Sequence, residues 1–389
     1  MIYRAFQDKQ LSLLGFGCMR LPQLADGTVD EAQVVEMTRL AMDHGVNYFD
    51  TAYPYHDGQS EIVIGKALSE YPRDSYYLAT KYPGHQLSSR YDPAEIFEAQ
   101  LKKCGVDYFD FYLLHNVYEN SIATYMAPQW GILDYFKEQK RLGRIRHLGF
   151  SCHGSVDIIR QFLDYADGAM EFCQIQLNYL DWTLQDAAAK CALLAERNIP
   201  VWVMEPVRGG KLATLPEAET AKLQALRPDE NTPAWCFRFL QSLPNVGMVL
   251  SGMSNLAQME DNIRTFETEK PLTEAETAVL MEVAETLKGS VPCTACRYCC
   301  AGCPQELDIP MLLGLYNDLL YTPSMIASMR AEAVPESKQA SACIGCGKCA
   351  QICPQGIDIP ALMQDFTATM AKLPSWAEIC RQRDAAQPR

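Results

Sequence analysis

Eight cysteines near the C-terminal end of the 389-residue chain stand in two runs of one spacing, Cys293-x-x-Cys296-x-x-Cys299-x-x-x-Cys303-Pro304 and Cys343-x-x-Cys346-x-x-Cys349-x-x-x-Cys353-Pro354. Three thiolates two residues apart can wrap three irons of one [4Fe–4S] cubane, while the fourth, before proline, points away and completes the other cluster. The spacing therefore predicts one cluster on Cys293, Cys296, Cys299 and Cys353, and a second on Cys343, Cys346, Cys349 and Cys303. Zinc also selects thiolates, but it would want four-cysteine sets without the third close cysteine and the trailing Cys-Pro. Cys300 could replace Cys299, at the loss of the two-residue spacing from Cys296. Most of the scattered cysteines, among them Cys18, Cys104 and Cys152, read as small buried apolar side chains.

A second set of reactive residues lies in the first third of the chain. Asp50, Lys81 and His115 each close an apolar run, and Tyr55 follows Asp50 by five residues. Each alone has a structural reading: a loop cap, a solvated amine, a tethered phenol, a hydrogen-bonded imidazole. Together they make an acid–base machine. A phenol with a pKa near ~10 is a poor acid at neutral pH. A nearby ammonium favours the phenolate, a carboxylate holds that ammonium, and an imidazole can orient a substrate carbonyl beside the acid.

Such a set must be positioned by regular elements. Buried apolar runs predict strands at Leu14–Cys18, Asn47–Asp50, Tyr76–Lys81, Tyr108–His115, Ile145–Ser151, Phe172–Leu177, Val201–Glu205 and Val246–Ser251. Helical periodicity falls between them, at Val34–His44, Glu61–Ser69, Gln129–Leu142, Val156–Tyr165, Leu184–Arg197, Thr232–Gln241 and Leu256–Phe266. Thr28 with Glu31, and Thr273 with Glu276, read as capping pairs, and Asp92-Pro93 as a helix start. Eight strands alternating with helices have the rhythm of a (β/α)8 barrel, whose active sites form at the C-terminal strand ends. The rival, an open doubly wound sheet, would carry G-x-G-x-x-G after its first strand; Gly15-Phe16-Gly17-Cys18-Met19-Arg20 ends in arginine instead. Gly289-Ser290-Val291-Pro292 breaks the pattern, which predicts a barrel over 1–288 and a cysteine module over 289–389. Within that module Cys303-Pro304-Gln305-Glu306-Leu307-Asp308-Ile309-Pro310 is echoed by Cys353-Pro354-Gln355-Gly356-Ile357-Asp358-Ile359-Pro360, with a helix-like stretch, Ile309–Arg330, between.

The formal net charge of −14 opposes non-specific nucleic-acid binding. With 48% hydrophobic and 21% charged residues, a sizeable globular core is expected rather than disorder. No apolar run reaches the ~20 residues that cross a bilayer, and no export signal opens the sequence, so the expected location is the cytoplasm without membrane attachment.

The cysteine segment resembles the bacterial-type two-cluster ferredoxin module. Its 39 residues between Cys303 and Cys343 exceed the usual gap and resemble the mainly helical dicluster domains attached to larger redox enzymes. Residues 10 to 266 resemble the aldo-keto reductase superfamily. Its Asp–Tyr–Lys–His tetrad matches Asp50, Tyr55, Lys81 and His115 in order, supported by Leu14-Gly15-Phe16-Gly17, Phe49-Asp50-Thr51-Ala52, Leu113-Leu114-His115 and Ile145-Arg146-His147-Leu148-Gly149-Phe150-Ser151. The whole is similar to the subgroup fused to a 4Fe–4S domain. This resemblance implies hydride transfer between NADP(H) or NAD(H) and a small carbonyl or alcohol, with Tyr55 as general acid and base. It implies that Ser151 and Gln174 hold the nicotinamide carboxamide and that Gly252, Met253, Gln258 and Asn262 form the cofactor-phosphate loop. Cys152 stands where the family usually has asparagine, and Met204 where it often stacks an aromatic ring. The alternative is an electron-transfer protein whose clusters relay electrons between the barrel, with or without a flavin, and a ferredoxin or flavoprotein partner.

Overall fold

The computed structural model describes residues 1–86, 91–287, 291, 293, 297, 299–321, 323–353 and 355–386. The chain divides into two compact units, Met1–Leu280 and Met281–Ala385.

The strands of the first unit are β1 (Tyr3–Phe6), β2 (Lys9–Ser12), β3 (Leu14–Gly17), β4 (Tyr48–Asp50), β5 (Tyr77–Tyr82), β6 (Phe109–Val117), β7 (Ile145–Cys152), β8 (Cys173–Gln176), β9 (Val201–Met204) and β10 (Val246–Ser251), β3 to β10 being built from apolar runs. Among the described residues, β3 to β10 close into a barrel in the order β10-β3-β4-β5-β6-β7-β8-β9, every neighbour parallel. All eight strands expected from the sequence form, their ends moved by a residue or two. The antiparallel hairpin β1–β2, with Tyr3 opposite Ser12 and Phe6 opposite Lys9, is an addition that the apolar runs do not announce. It delivers Phe6 against His147, Trp202 and Phe111, with ring centroids 5.0, 5.1 and 5.6 Å away. Phe6, Tyr48, Phe111, Phe172, Trp202 and Met248 form one cluster inside the barrel. Each such side chain contributes about 1.5–3 kcal/mol by leaving water.

The barrel interior obeys the two-residue period of a strand. Tyr48, Ala79, Phe111 and Leu113 belong to that interior cluster. Two residues beyond Tyr48, Ala79 and Leu113 come Asp50, Lys81 and His115. The same face therefore carries them inward at the C-terminal rim, and Tyr55 stands on the loop just past β4.

Helices cover the outside. Asp92 caps Pro93–Cys104 by accepting from Ala94 N and Glu95 N, and Gly105 ends it at φ 66°. The cap of Glu31–Asp43 is Asp30, which accepts from Gln33 N, rather than the expected Thr28; the Thr28 hydroxyl bonds Asp26 at 2.6 Å instead. Thr273 and Glu276 do form their reciprocal box. The helix expected as Leu184–Arg197 is two, Asp181–Leu184 and Ala187–Glu196, separated by Asp186 in the left-handed region (φ 52°). Between β9 and β10 the chain also forms a helix, Glu217–Leu226.

The second unit is helical, with no strand among its described residues. The stretch Ile309–Arg330 forms Ile309–Tyr321 and begins Met325–Glu332. These pack with Ile359–Met370 through Leu312, Leu319, Met363 and Phe366, and Tyr316 stacks on Phe366 at 5.2 Å. The sequence repeat is a structural repeat. Asp308 accepts from Met311 N and Asp358 from Ala361 N at the start of matching helices. The turn before each uses a left-handed residue, Glu306 (φ 50°) in one copy and Gly356 (φ 65°) in the other. Among the described residues, no helix is long and apolar enough to cross a membrane.

Candidate active site

Lys81 is fully buried and Asp50 is 3% exposed. The Lys81 ammonium is ion-paired with Asp50 Oδ1 and donates to Thr51 O at 2.7 Å. Its nitrogen lies 5.0 Å from the Tyr55 ring centroid. Tyr55 and His115, both half-buried, meet edge to face with centroids 5.9 Å apart. The four residues named by their spacing thus converge on one rim of the barrel.

Their electrostatics differ from the sequence expectation in one respect. Burial opposes the charged form of Lys81, but Asp50 and Tyr55 outweigh it, so the ammonium persists. Burial raises the Tyr55 phenol above its usual value; Lys81 pulls it down, while Asp50 raises it again. The expected lowering by a nearby ammonium is therefore overturned: burial and the carboxylate win. The phenol stays protonated, the form that a proton donor needs.

The residues expected at the cofactor lie along the neighbouring strand ends. Ser151 pairs with Gln174 in the ladder between β7 and β8. Ser151 Oγ accepts from Asn116 N at 2.7 Å, which leaves its own proton to donate. Gln174 is 2% exposed, and its Oε1 has no hydrogen-bond partner among the described residues. A buried carbonyl oxygen without a donor is costly, and a carboxamide N–H satisfies it. These residues fit a nicotinamide. Gly252 lies against Arg20, where a Cβ would come within 3.2 Å of the arginine stem, and Met253 is buried. Gln258 and Asn262 are turned to the loop itself: Gln258 Oε1 accepts from Ser254 N (2.8 Å) and Asn262 Nδ2 donates to Ser251 Oγ (2.9 Å).

Further side chains stand at these strand ends without a motif to mark them. Arg20, just past β3, pairs with Glu205, just past β9, at 3.0 Å. His85, on the loop after β5, packs its ring 4.3 Å from that of His115. A single histidine in a loop carries no spacing signal, so only its neighbour identifies it. Tyr82, the last residue of β5, is 1% exposed and fills the core against Phe136.

In the second unit, Cys303, Cys343, Cys346 and Cys349 line one pocket with Leu307, Ile309, Ile359 and Met363. These are the four thiols grouped by the crossed reading of the two runs. Cys293, Cys299 and Cys353 pack on the same apolar core, while Cys296 lies outside the described residues. Burial, then Cys300 and Cys293, push the Cys299 thiol up to about 12. Among the described residues, no three His, Cys, Asp or Glu side chains converge tightly enough for a single metal ion. Thiols spread around an apolar cavity suit a polynuclear group instead, whose irons would favour their thiolate forms.

Comparison with known proteins agrees with both halves. Residues 13–285 match the aldo/keto reductase family, and residues 292–357 match the 4Fe-4S dicluster domain. The NADH-specific methylglyoxal reductase of Escherichia coli K12 is 24% identical over 72% of this chain and 97% of its own. The L-galactose dehydrogenase of Arabidopsis thaliana is 26% identical over 65% of this chain and 84% of its own. Among solved structures, aldo-keto reductase AKR11C1 from Bacillus halodurans in its holo form superimposes with a TM-score of 0.58 at 27% identity, over 73% of this chain and 96% of that one. The chain belongs to the aldo/keto reductase family, as an oxidoreductase whose barrel is followed by a 4Fe-4S dicluster domain.

Proposed function

We propose that the barrel reduces a small carbonyl compound, or oxidises the corresponding alcohol, at the expense of a nicotinamide nucleotide, with Tyr55 as the general acid and base. The observation that carries this reading is the convergence of Tyr55 and His115 on the buried Lys81–Asp50 pair. A bound reduced nicotinamide supplies the hydride. Tyr55 supplies the proton to the carbonyl oxygen, so that hydride and proton together convert C=O to CH–OH. Lys81 stabilises the phenolate left behind, Asp50 holds Lys81, and His115 orients the carbonyl oxygen beside the phenol. Ser151 and Gln174 hold the carboxamide, with Gly252, Met253, Gln258 and Asn262 along the phosphate. The segment from Ser251 to Asn262 contains no lysine or arginine, so a 2′-phosphate lacks its strongest partners there, and NADH suits it better than NADPH.

In the same reading the module after about residue 288 holds two [4Fe–4S] clusters on the eight cysteines of the two runs. A second reading makes them a wire to a ferredoxin or flavoprotein. It is favoured by the surface position of Cys346 and of Ile344, which is 61% exposed, at the edge of the cysteine-lined cavity. Clusters move single electrons, so this route needs a flavin to meet hydride chemistry.

The test is an anaerobic preparation offered NADH and NADPH with a panel of aldehydes and ketones. Reduction by wild type that falls by about 10²–10⁴ in Tyr55→Phe supports the first reading. Full turnover by Tyr55→Phe overturns it, and turnover only with reduced ferredoxin or viologen selects the second.

A further inference from the structure

A second ion pair lies behind the pair of Lys81 and Asp50. Glu61, on the helix Gln59–Leu68, is fully buried, and its Oε2 lies 3.6 Å from Lys103 Nζ, near the end of the helix Pro93–Cys104. Its other oxygen accepts from Thr80 Oγ1 at 2.6 Å and from Gln100 Nε2 at 2.7 Å. Gln100 Nε2 also donates to Lys81 O at 3.0 Å, so one arm of this network ends on the backbone of Lys81. Such a network holds its members in one arrangement, because a buried donor or acceptor left unmet is costly.

The other arm ends on the loop that carries Tyr55. Lys103 Nζ stands 4.3 Å from the centroid of the Tyr53 ring, two residues before Tyr55. A Cβ at Gly58, three residues after Tyr55, would lie 3.2 Å from the same nitrogen. The ammonium therefore meets the loop on both sides of Tyr55 in the chain. Between these contacts the backbone is strained: His56 and Asp57 take φ of 50° and 52°, and Gly58 follows at 86°. Residues with a side chain persist in the left-handed region only where their surroundings fix them. His56 is fixed through Leu21 N, and Lys103 supplies a second, charged hold.

We infer that Lys103 is a positioning residue for Tyr55 and that Glu61 is its anchor. A cation over an aromatic face is attracted to it, and the buried carboxylate keeps that cation from turning out to water. The inference rests on the reading above, in which Tyr55 donates the proton. A reacting group misplaced by about 1 Å can cost about 10²-fold in rate. The residues assigned to the nucleotide stand on β7, on β8 and past β10, so its binding is left as it was.

The experiment uses the full-length protein with Lys103→Met, which removes the charge, and Lys103→Arg, which keeps it. With NADH and an aldehyde that wild type reduces, Lys103→Met should lower kcat by about tenfold or more while the Kd of NADH changes by less than about twofold, and Lys103→Arg should recover most of the loss. In protein whose tyrosines carry carbon-13 at the hydroxyl-bearing ring carbon, Tyr55 is the NMR signal missing from Tyr55→Phe. That signal should shift or broaden in Lys103→Met and return in Lys103→Arg. An unmoved Tyr55 signal or an unchanged kcat overturns the proposal. So does a fall in kcat matched by equal losses in NADH binding and in the urea midpoint, which would make Lys103 a packing residue. The reductase reading fails separately, if wild type reduces no aldehyde or if Tyr55→Phe keeps full turnover; the Tyr55 signal then still decides whether Lys103 positions that ring.

Discussion

The Lys81 ammonium and the Asp50 carboxylate form an ion pair sealed inside the barrel rim, with Thr51 O as the second acceptor of the ammonium. The pair also bears on stability. Removing one partner leaves a buried charge uncompensated, and such a loss typically costs about 3–5 kcal/mol. Asp50→Asn should therefore destabilise the barrel by about that amount in urea unfolding, and lower kcat as Lys81 loses its anchor. An undiminished unfolding midpoint would show that Lys81 finds another counter-charge or becomes neutral.

Acid stability should depend on Glu171. Burial alone would raise its carboxyl, but His147, Lys140, the Leu148 amide and Gln7 together hold it at about 2, below an ordinary 4.5. A carboxyl depressed by folding contributes stability above its unfolded pKa and loses it as pH falls toward the folded one. The contribution, about 2–3 kcal/mol, is thus complete above about pH 4.5 and disappears between about pH 4.5 and pH 2. Glu171→Gln should flatten the fall of stability with acid in that window, read as chemical-denaturation midpoints against pH.

His56, next to Tyr55, should act at higher pH. Its Nε2 accepts from Leu21 N at 3.1 Å, and burial lowers its pKa from 6.5. Protonation removes that acceptor. The bond's contribution is present above about pH 6.5 and is lost as pH falls below it toward the folded value. NMR titration should show the His56 ring charging below the ordinary histidine range; a value at or above 6.5 refutes the assignment.

Helix packing beside the site should tolerate no side chain at Gly65. A Cβ there would lie 2.4 Å from Cys104 O, so the helix Gln59–Leu68 would have to leave the end of Pro93–Cys104. Gly65→Ala should cost about 1–3 kcal/mol by overpacking against rigid backbone. A gain in stability, as expected for alanine in an unobstructed helix, would contradict this packing.

The crossed assignment of the cysteines has its own signature. Cys303 shares a cavity with Cys343, Cys346 and Cys349 rather than belonging with its own run alone. Cys303→Ala should therefore perturb the same cluster as Cys346→Ala, and Cys353→Ala the same one as Cys293→Ala, when iron content and low-temperature EPR of anaerobic protein are compared. Matching spectra within each run instead would overturn the crossing.

What the sequence determined by itself is whatever depends on local order along the chain. Eight buried runs at regular intervals admit few arrangements other than a closed parallel barrel. Two C-x-x-C-x-x-C-x-x-x-C-P runs and the repeated Asp-Ile-Pro starts mark a doubled module. Asp50, Lys81 and His115 were legible because a strand sends alternate residues to one face, so a polar residue two steps past a core residue must reach the rim. Tertiary structure decided what arises between segments distant in sequence. The hairpin β1–β2 is short and mixed in polarity, and only Phe6 meeting Trp202 and His147 explains it. Asp30 replaced Thr28 as a helix cap because the Thr28 hydroxyl was already taken by Asp26. Tyr55 stayed protonated because burial, a property of the closed barrel, outweighed the ammonium beside it. His85 meets His115 only because the fold sets the start of the loop after β5 beside the end of β6.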